Sequence, residues 1–241
     1  MRVEENITIA FVGAGGKTTC MFQLARQFKN GAVVSTTTKL GLEQALLADT
    51  HFVWNEDIDN RLLLENSHQL LLVTAGPDEV SLHLIGMNSE QALALKDFCR
   101  INHLSLLIEA DGARKAAFKA PADYEPVIPK WVEHVIVVAG LSALGKPISL
   151  PWIFRPERLA ELIDVEIGTP LNLEMMCQVL RHPFGGLKGV SSSAQVTLLL
   201  NQEDVRPLLF HEERYIKENL YKNFDRVVVG SAWSEDSFRI L

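Results

Sequence analysis

The stretch Phe11-Val12-Gly13-Ala14-Gly15-Gly16-Lys17-Thr18-Thr19 decides how the chain is read. Before it, Ile7–Val12 is an apolar run of strand length. After it, Lys17–Phe28 places Met21, Leu24, Ala25 and Phe28 at the i, i+3, i+4, i+7 spacing of one helix face. Strand, glycine-rich turn, helix is the context in which Gly-Lys-Thr-Thr acquires chemical meaning. Glycines let successive N–H groups curl around an anion without Cβ clashes. The helix start adds partial positive charge at the same spot. Lys17 then reaches terminal phosphates, and the Thr18 hydroxyl is placed to ligate Mg²⁺. Gly13, Ala14, Gly15, Gly16, Lys17, Thr18 and Thr19 are the expected phosphate-binding set. The loop is a shortened form, because Phe11 stands where the usual pattern has its first glycine. The plainer alternative is a glycine-rich turn with a surface lysine.

Outward from this loop the same alternation continues. Gly31 follows the first helix where a left-handed cap is expected. Ala32–Ser35, Leu70–Thr74, Leu104–Glu109, Val132–Ala139, Val196–Leu200 and Arg226–Val229 read as strands. Ser89–Arg100, Arg155–Ile163, Leu171–Leu180 and Leu208–Leu220 read as helices, with Pro156 suited to a first helical turn. Strand–helix alternation implies a parallel sheet covered on both faces. The expected fold is α/β, a P-loop NTPase-like three-layer sandwich with a mostly parallel central sheet. Residues 1–241 are read as a single P-loop nucleotide-binding domain.

Further candidates fall at strand ends. Leu104–Gly112 ends in Glu109 and Asp111, which share one side if the strand extends that far. Such acids hold the magnesium shell in phosphate-loop enzymes. Asp111 is the first choice and Glu109 the second; the duller reading is a solvated turn. Arg114, Lys115 and Lys119 follow, in a proline-punctuated segment, Ala113–Pro129, expected to be a long lid or binding loop. These cations are candidates for a second substrate or for transition-state charge. Lys17, Asp111, Arg114, Lys115 and Lys119 are therefore the expected catalytic set. Glu125 is a further polar contact. Thr36-Thr37-Thr38-Lys39 lies directly after the second strand, where ligands bind in open parallel sheets. Thr37 and Thr38 join the nucleotide set on that ground. Asn201-Gln202-Glu203-Asp204 follows Val196–Leu200, where GTP-binding proteins carry Asn-Lys-x-Asp. A carboxylate there accepts two N–H bonds from guanine, which adenine cannot supply. Gln202 replaces the lysine whose stem packs on the base, so Asn201 and Asp204 remain as base-reading candidates. A pterin ring shares the same edge.

Composition limits the function classes. Apolar residues make up 47% and charged residues 22%, the balance of a soluble globule rather than a disordered or fibrous chain. Lys and Arg total 23 against 30 Asp and Glu, so the net charge of −7 leaves no surplus for a nucleic-acid backbone. Val135–Leu141, among the longest apolar stretches, falls far short of the ~18 residues of a membrane span. Glu4 and Glu5 do not suit a signal peptide. A cytoplasmic protein is expected. Cys20, Cys99 and Cys177 show no ligand spacing and read as small buried hydrophobes.

The segments Phe11–Thr19, Thr36–Lys39, Glu-Ala-Asp-Gly-Ala-Arg at Glu109–Arg114 and Lys-Ala-Pro-Ala-Asp-Tyr-Glu-Pro-Val-Ile-Pro at Lys119–Pro129 together resemble the YqeC family, accessory proteins of selenium-dependent molybdenum hydroxylases. The resemblance runs on through Arg155-Pro156 and the Asn201–Asp204 loop. It implies a nucleotide-binding protein in hydroxylase maturation, with the hydroxylase or its pterin cofactor as partner. Joined to the residues, it gives a Mg²⁺-dependent protein that binds ATP or GTP and works as an NTPase or phosphoryl-transfer enzyme. The alternatives are a nucleotide-gated chaperone or delivery factor and a Mur-like ATP-dependent ligase, for whose separate substrate domain there is little room.

Overall fold

A computed structural model of the chain describes residues 6–54, 60–66, 68–233 and 238–241. The opening residues read above, Met1 to Glu5, lie outside the described residues. In chain order the elements are β1 (Thr8–Gly13), α1 (Lys17–Ala25), β2 (Ala32–Thr36), β3 (Leu40–Gly41), β4 (Thr50–Val53), α2 (Asn60–Glu65), β5 (Leu71–Thr74), β6 (Gly76–Pro77), β7 (His83–Ile85), α3 (Ser89–Ile101), β8 (Ser105–Glu109), β9 (Phe118–Lys119), β10 (His134–Gly140), β11 (Ile153–Phe154), α4 (Pro156–Ile163), α5 (Leu173–Arg181), β12 (Gln195–Asn201), α6 (Phe210–Leu220), β13 (Arg226–Val229) and β14 (Arg239–Ile240).

The fold is mixed α/β. Its main sheet has nine strands in the order β14-β13-β12-β10-β1-β8-β2-β5-β4, flanked by helices. The pairings β4–β5, β5–β2, β2–β8, β8–β1 and β12–β13 are parallel, and β13–β14 is antiparallel. This is the expected architecture. Every strand read from an apolar run is present, with ends shifted by no more than two residues.

The chain divides into two compact units. The first comprises Met1–Phe11, Thr18–Gly112 and Val127–His134. Its strands β2, β5 and β8 are buried on both faces, which is why they are continuous apolar runs rather than alternating ones. α3 lays Leu95, Phe98 and Cys99 into a core with Leu71, Leu106 and Ile108. Asn88 and Gln91 cap α3 reciprocally, each side chain accepting from the other's backbone N–H at 2.9 and 3.0 Å. Register places Phe11 and Thr36 beside Glu109, at the carboxyl end of β8. β3, β6 and β7 form a small antiparallel sheet of their own.

The second unit comprises Val12–Lys17, Ala113–Pro126 and Val135–Leu241. β10 is buried along its whole length, as the run of β-branched residues requires. α4 opens on Pro156, and α5 is capped by Asn172, whose Oδ1 accepts from the Met175 N–H at 2.8 Å. Among the described residues no helix is long and apolar enough to cross a membrane.

Two local readings change. α1 ends at Ala25 rather than Phe28, because Gln27 and Phe28 turn to three-residue bonds onto Leu24 and Ala25 carbonyls. Gly31 then adopts φ 91°, the left-handed cap expected for it. The segment after Ala113 is no open loop. β9 pairs in parallel with β11, and Ala116, Ala117, Phe118 and Lys119 are buried.

Candidate functional site

Building from the glycine-rich loop, Gly13, Gly15 and Gly16 all take positive φ, at 94°, 92° and 106°. A side chain is excluded at each by the packing. A Cβ on Gly13 would stand 2.2 Å from the Val138 carbonyl oxygen, and one on Gly15 2.3 Å from the Gly140 nitrogen. The Ala14 N–H donates to Val138 O at 2.9 Å and the Gly15 N–H to Ala116 O at 3.1 Å. Those two amides brace the loop rather than face outward. The amides of the next residues open α1, where a helix has no internal acceptors for its first N–H groups. Lys17 is buried, and its ammonium donates back to Gly13 O at 2.8 Å, folding the side chain across the loop.

Asn201, at the end of β12, completes this arrangement. It is buried; its Nδ2 donates to Gly15 O at 2.7 Å, and its Oδ1 accepts the Ala232 N–H at 2.9 Å. One amide thus ties the glycine-rich loop to the turn after β13. Gln202 sits at φ 68°, and its Oε1 accepts from Ser142 Oγ at 2.6 Å. Asp204 is exposed.

In the first unit, the residue after Lys17 supplies a hydroxyl. Thr18 Oγ1 donates to Glu109 Oε2 at 2.6 Å and accepts from Gln44 Nε2 at 2.9 Å. Thr18 and Glu109 are both buried. β8 stops at Glu109, so strand alternation does not carry on to Asp111, which is itself 2% exposed. Glu109, the second choice from sequence, is the carboxylate bonded to Thr18. Sequence gave no hint of Gln44, which lies 26 residues away in a short 3₁₀ turn. Thr36 and Thr37 both fasten to the Glu109 backbone: Thr36 Oγ1 and the Thr37 N–H donate to Glu109 O at 3.0 Å each. Thr37 Oγ1 donates to Val127 O at 2.9 Å, and the Thr38 N–H donates to Thr36 Oγ1 at 3.1 Å. These hydroxyls are spent on holding strand ends together. Lys39 pairs with Asp78 at 2.5 Å. Thr19 lies half-buried on α1.

The basic candidates separate into two kinds. Lys119 is buried and donates to Glu125 Oε2 at 2.8 Å, and Arg155 grips the same carboxylate with bonds of 2.5 and 3.0 Å. Burial raises the Glu125 pKa, but the bonds and charges of Arg155 and Lys119 outweigh it and bring the carboxyl down to about 2. Arg155 was read as a helix start and as part of the family resemblance, with no role at a site; its pairing with a residue 30 positions away leaves no sequence signal. Arg114 and Lys115 are exposed, at φ 46° and 63°. The Arg114 guanidinium stands 5.4 Å from the centroid of Phe154, and Arg155 stands 4.3 Å from the same ring. All three cysteines are buried and free; burial pushes the Cys20 and Cys177 thiols up to about 12.

Fold and site together define a class: α/β proteins with a mostly parallel sheet, whose first strand runs through a glycine-rich loop into a helix opening Lys-Thr-Thr. Within that class the chain belongs to the YqeC family, whose model, described as YqeC protein, matches residues 9–157. The uncharacterized protein YqeC of Escherichia coli (strain K12) is 28% identical over 207 residues, covering 80% of this chain and 75% of that protein. No solved structure matches the chain.

Proposed function

We propose that this protein binds a magnesium–nucleoside triphosphate, ATP or GTP, at the Gly13–Thr19 loop and acts as an NTPase or phosphoryl-transfer enzyme. The observation that carries this reading is the 2.6 Å bond from the Thr18 hydroxyl to the buried Glu109 carboxylate, directly after the glycines and Lys17. A hydroxyl and a strand-end carboxylate are the protein ligands that hold magnesium in phosphate-loop enzymes. Both are hard oxygen donors, suited to Mg²⁺. Among the described residues no group of three His, Cys, Asp or Glu side chains gathers as a self-contained metal site. Thr18 and Glu109 would hold the ion, which when bound neutralises charge on the phosphates. The chain's own work is positioning: the α1 N–H groups and Lys17 hold the polyphosphate in place. We propose further that this activity serves the maturation of selenium-dependent molybdenum hydroxylases, the role that the resemblance read in the sequence implies.

Thermal melting with ATP and GTP, each with and without Mg²⁺, tests the proposal alongside phosphate release. A triphosphate at 100 times its Kd stabilises by about 2.7 kcal/mol, a readily measured rise. Lys17→Ala should abolish both the rise and the release. No rise with any triphosphate, or unchanged behaviour in Lys17→Ala, would refute the assignment.

A further inference from the structure

Two loops of the second unit are laced together beyond β12 and β13. The Gly230 N–H donates to Leu200 O at 3.0 Å, the Glu203 N–H to Gly230 O at 3.1 Å, and the Ala232 N–H to Asn201 Oδ1 at 2.9 Å. Asn201 in turn holds Gly15 of the phosphate loop at 2.7 Å. Whatever these two loops recognise is therefore coupled through one side chain to what the phosphate loop holds.

Two side chains there are left without structural employment. Trp233 directly follows Ala232 and is 80% exposed, an extreme value for so large an apolar side chain. Asp204 is exposed, and among the described residues no hydrogen bond or ion pair engages its carboxylate. Gln202, by contrast, is committed: its side chain turns toward Ser142 and lies so close to Gly140 that a Cβ there would come within 2.3 Å of Gln202 Oε1. It offers no flat surface to a base.

We infer that Trp233 and Asp204 form a recognition site for the base of a guanine nucleotide, with the indole as stacking face and the carboxylate as edge reader. This rests on the nucleotide reading of the Gly13–Thr19 loop and names the base that reading left open. An exposed indole face suits stacking on a nucleobase, which exposed aromatic residues provide with little regard for base identity. Selectivity comes from Asp204: a carboxylate accepts from N1–H and the 2-amino group together, a pair of donors guanine presents and adenine does not. Pterins share that edge; the nucleotide is the occupant argued for because the Asn201–Gly15 bond joins these loops to the loop read as holding polyphosphate.

The test is calorimetric titration of the full chain with magnesium complexes of GTP, ITP, ATP and inorganic tripolyphosphate, and with neopterin. Wild type should bind GTP more tightly than ITP or ATP. Trp233→Ala should weaken GTP about tenfold or more while leaving tripolyphosphate unchanged, and Trp233→Phe should restore most of the loss. Asp204→Ala should erase the preference of GTP over ITP, which lacks the 2-amino group. Equal affinity for GTP and ATP, or an unchanged GTP affinity in Trp233→Ala, would overturn the base site while tripolyphosphate binding kept the phosphate loop in place. Loss of tripolyphosphate binding in wild type would overturn both readings. Tighter binding of neopterin than of GTP would assign the edge to a pterin and overturn the nucleotide site.

Discussion

Replacing Asn201 with alanine removes a single amide from a buried junction. Its Nδ2 satisfies the Gly15 carbonyl at 2.7 Å, and its Oδ1 satisfies the Ala232 N–H at 2.9 Å. Both partners belong to loops that have no ladder to fall back on. A buried backbone group left unsatisfied costs about 1–3 kcal/mol. Two such groups give about 2–6 kcal/mol, and truncation also leaves a small void beside Gly16, where a Cβ would meet the Asn201 amide nitrogen at 2.6 Å. Water entering that void recovers part of the loss. The expected destabilisation is about 3 kcal/mol, or a fall in melting temperature of about 6–12 °C for a chain of this size. Urea unfolding and calorimetry measure it directly. Asn201→Asp sharpens the test. It keeps an acceptor for Ala232 but sets an oxygen against Gly15 O, so the charged form is disfavoured and the new carboxyl titrates high. Its deficit should shrink as pH falls and the aspartic acid gains a proton to donate to Gly15. A loss below about 1 kcal/mol in Asn201→Ala, or an Asn201→Asp deficit that grows on acidification, would refute the view that this amide braces the loop.

The Glu125 carboxyl lies at about 2, below its ordinary 4.5, so its ion pairs contribute fully above about pH 4.5 and are lost as pH falls toward 2. Allowing for solvent screening, about 2 kcal/mol of stability should disappear across that window in wild type, and Glu125→Gln should flatten that part of the curve. Gly13→Ala should destabilise the unliganded protein by about 2 kcal/mol or more, since its φ of 94° and a Cβ 2.2 Å from Val138 O leave no room for a methyl group. An equally stable Gly13→Ala protein in urea unfolding would contradict the packing of the loop against β10.

How much of this was legible in sequence depends on where the stabilising contacts lie along the chain. β2, β8 and β10 are buried on both faces, so their apolar runs declare them. β4 is a half-exposed edge strand of four residues, Thr-His-Phe-Val, too short and too polar to stand out. β9 and β11 are two residues each and exist only because they pair with one another across more than 30 positions. Glu109 and Asp111 were expected on one side of an extended strand, and β8 ends at Glu109, before Asp111. Sequence also could not show that the Thr36 hydroxyl would donate to the Glu109 carbonyl and the Thr37 hydroxyl to that of Val127. Types of residue at a strand end are readable; which of them bonds which is decided by register between strands far apart in the chain.

That distinction reorders the basic candidates. From spacing alone Arg114, Lys115 and Lys119 were equivalent. In the folded chain Lys119 shares the Glu125 carboxylate with Arg155 and is buried beneath it, so its charge holds the Lys119–Glu125 turn onto β11. A buried ion pair of this kind is costly to break. Arg114 is placed differently. It is exposed, and its guanidinium lies near the face of Phe154, the ring that Arg155 approaches from 4.3 Å. A guanidinium near an aromatic face still presents its N–H donors around the rim, in the fork that fits a phosphate or carboxylate. Its left-handed backbone, φ 46°, is a conformation a non-glycine residue adopts at a cost of about 1–3 kcal/mol, and one that places the side chain where it is. Of the three basic residues that follow β8, Arg114 and Lys115 are exposed and Lys119 is buried.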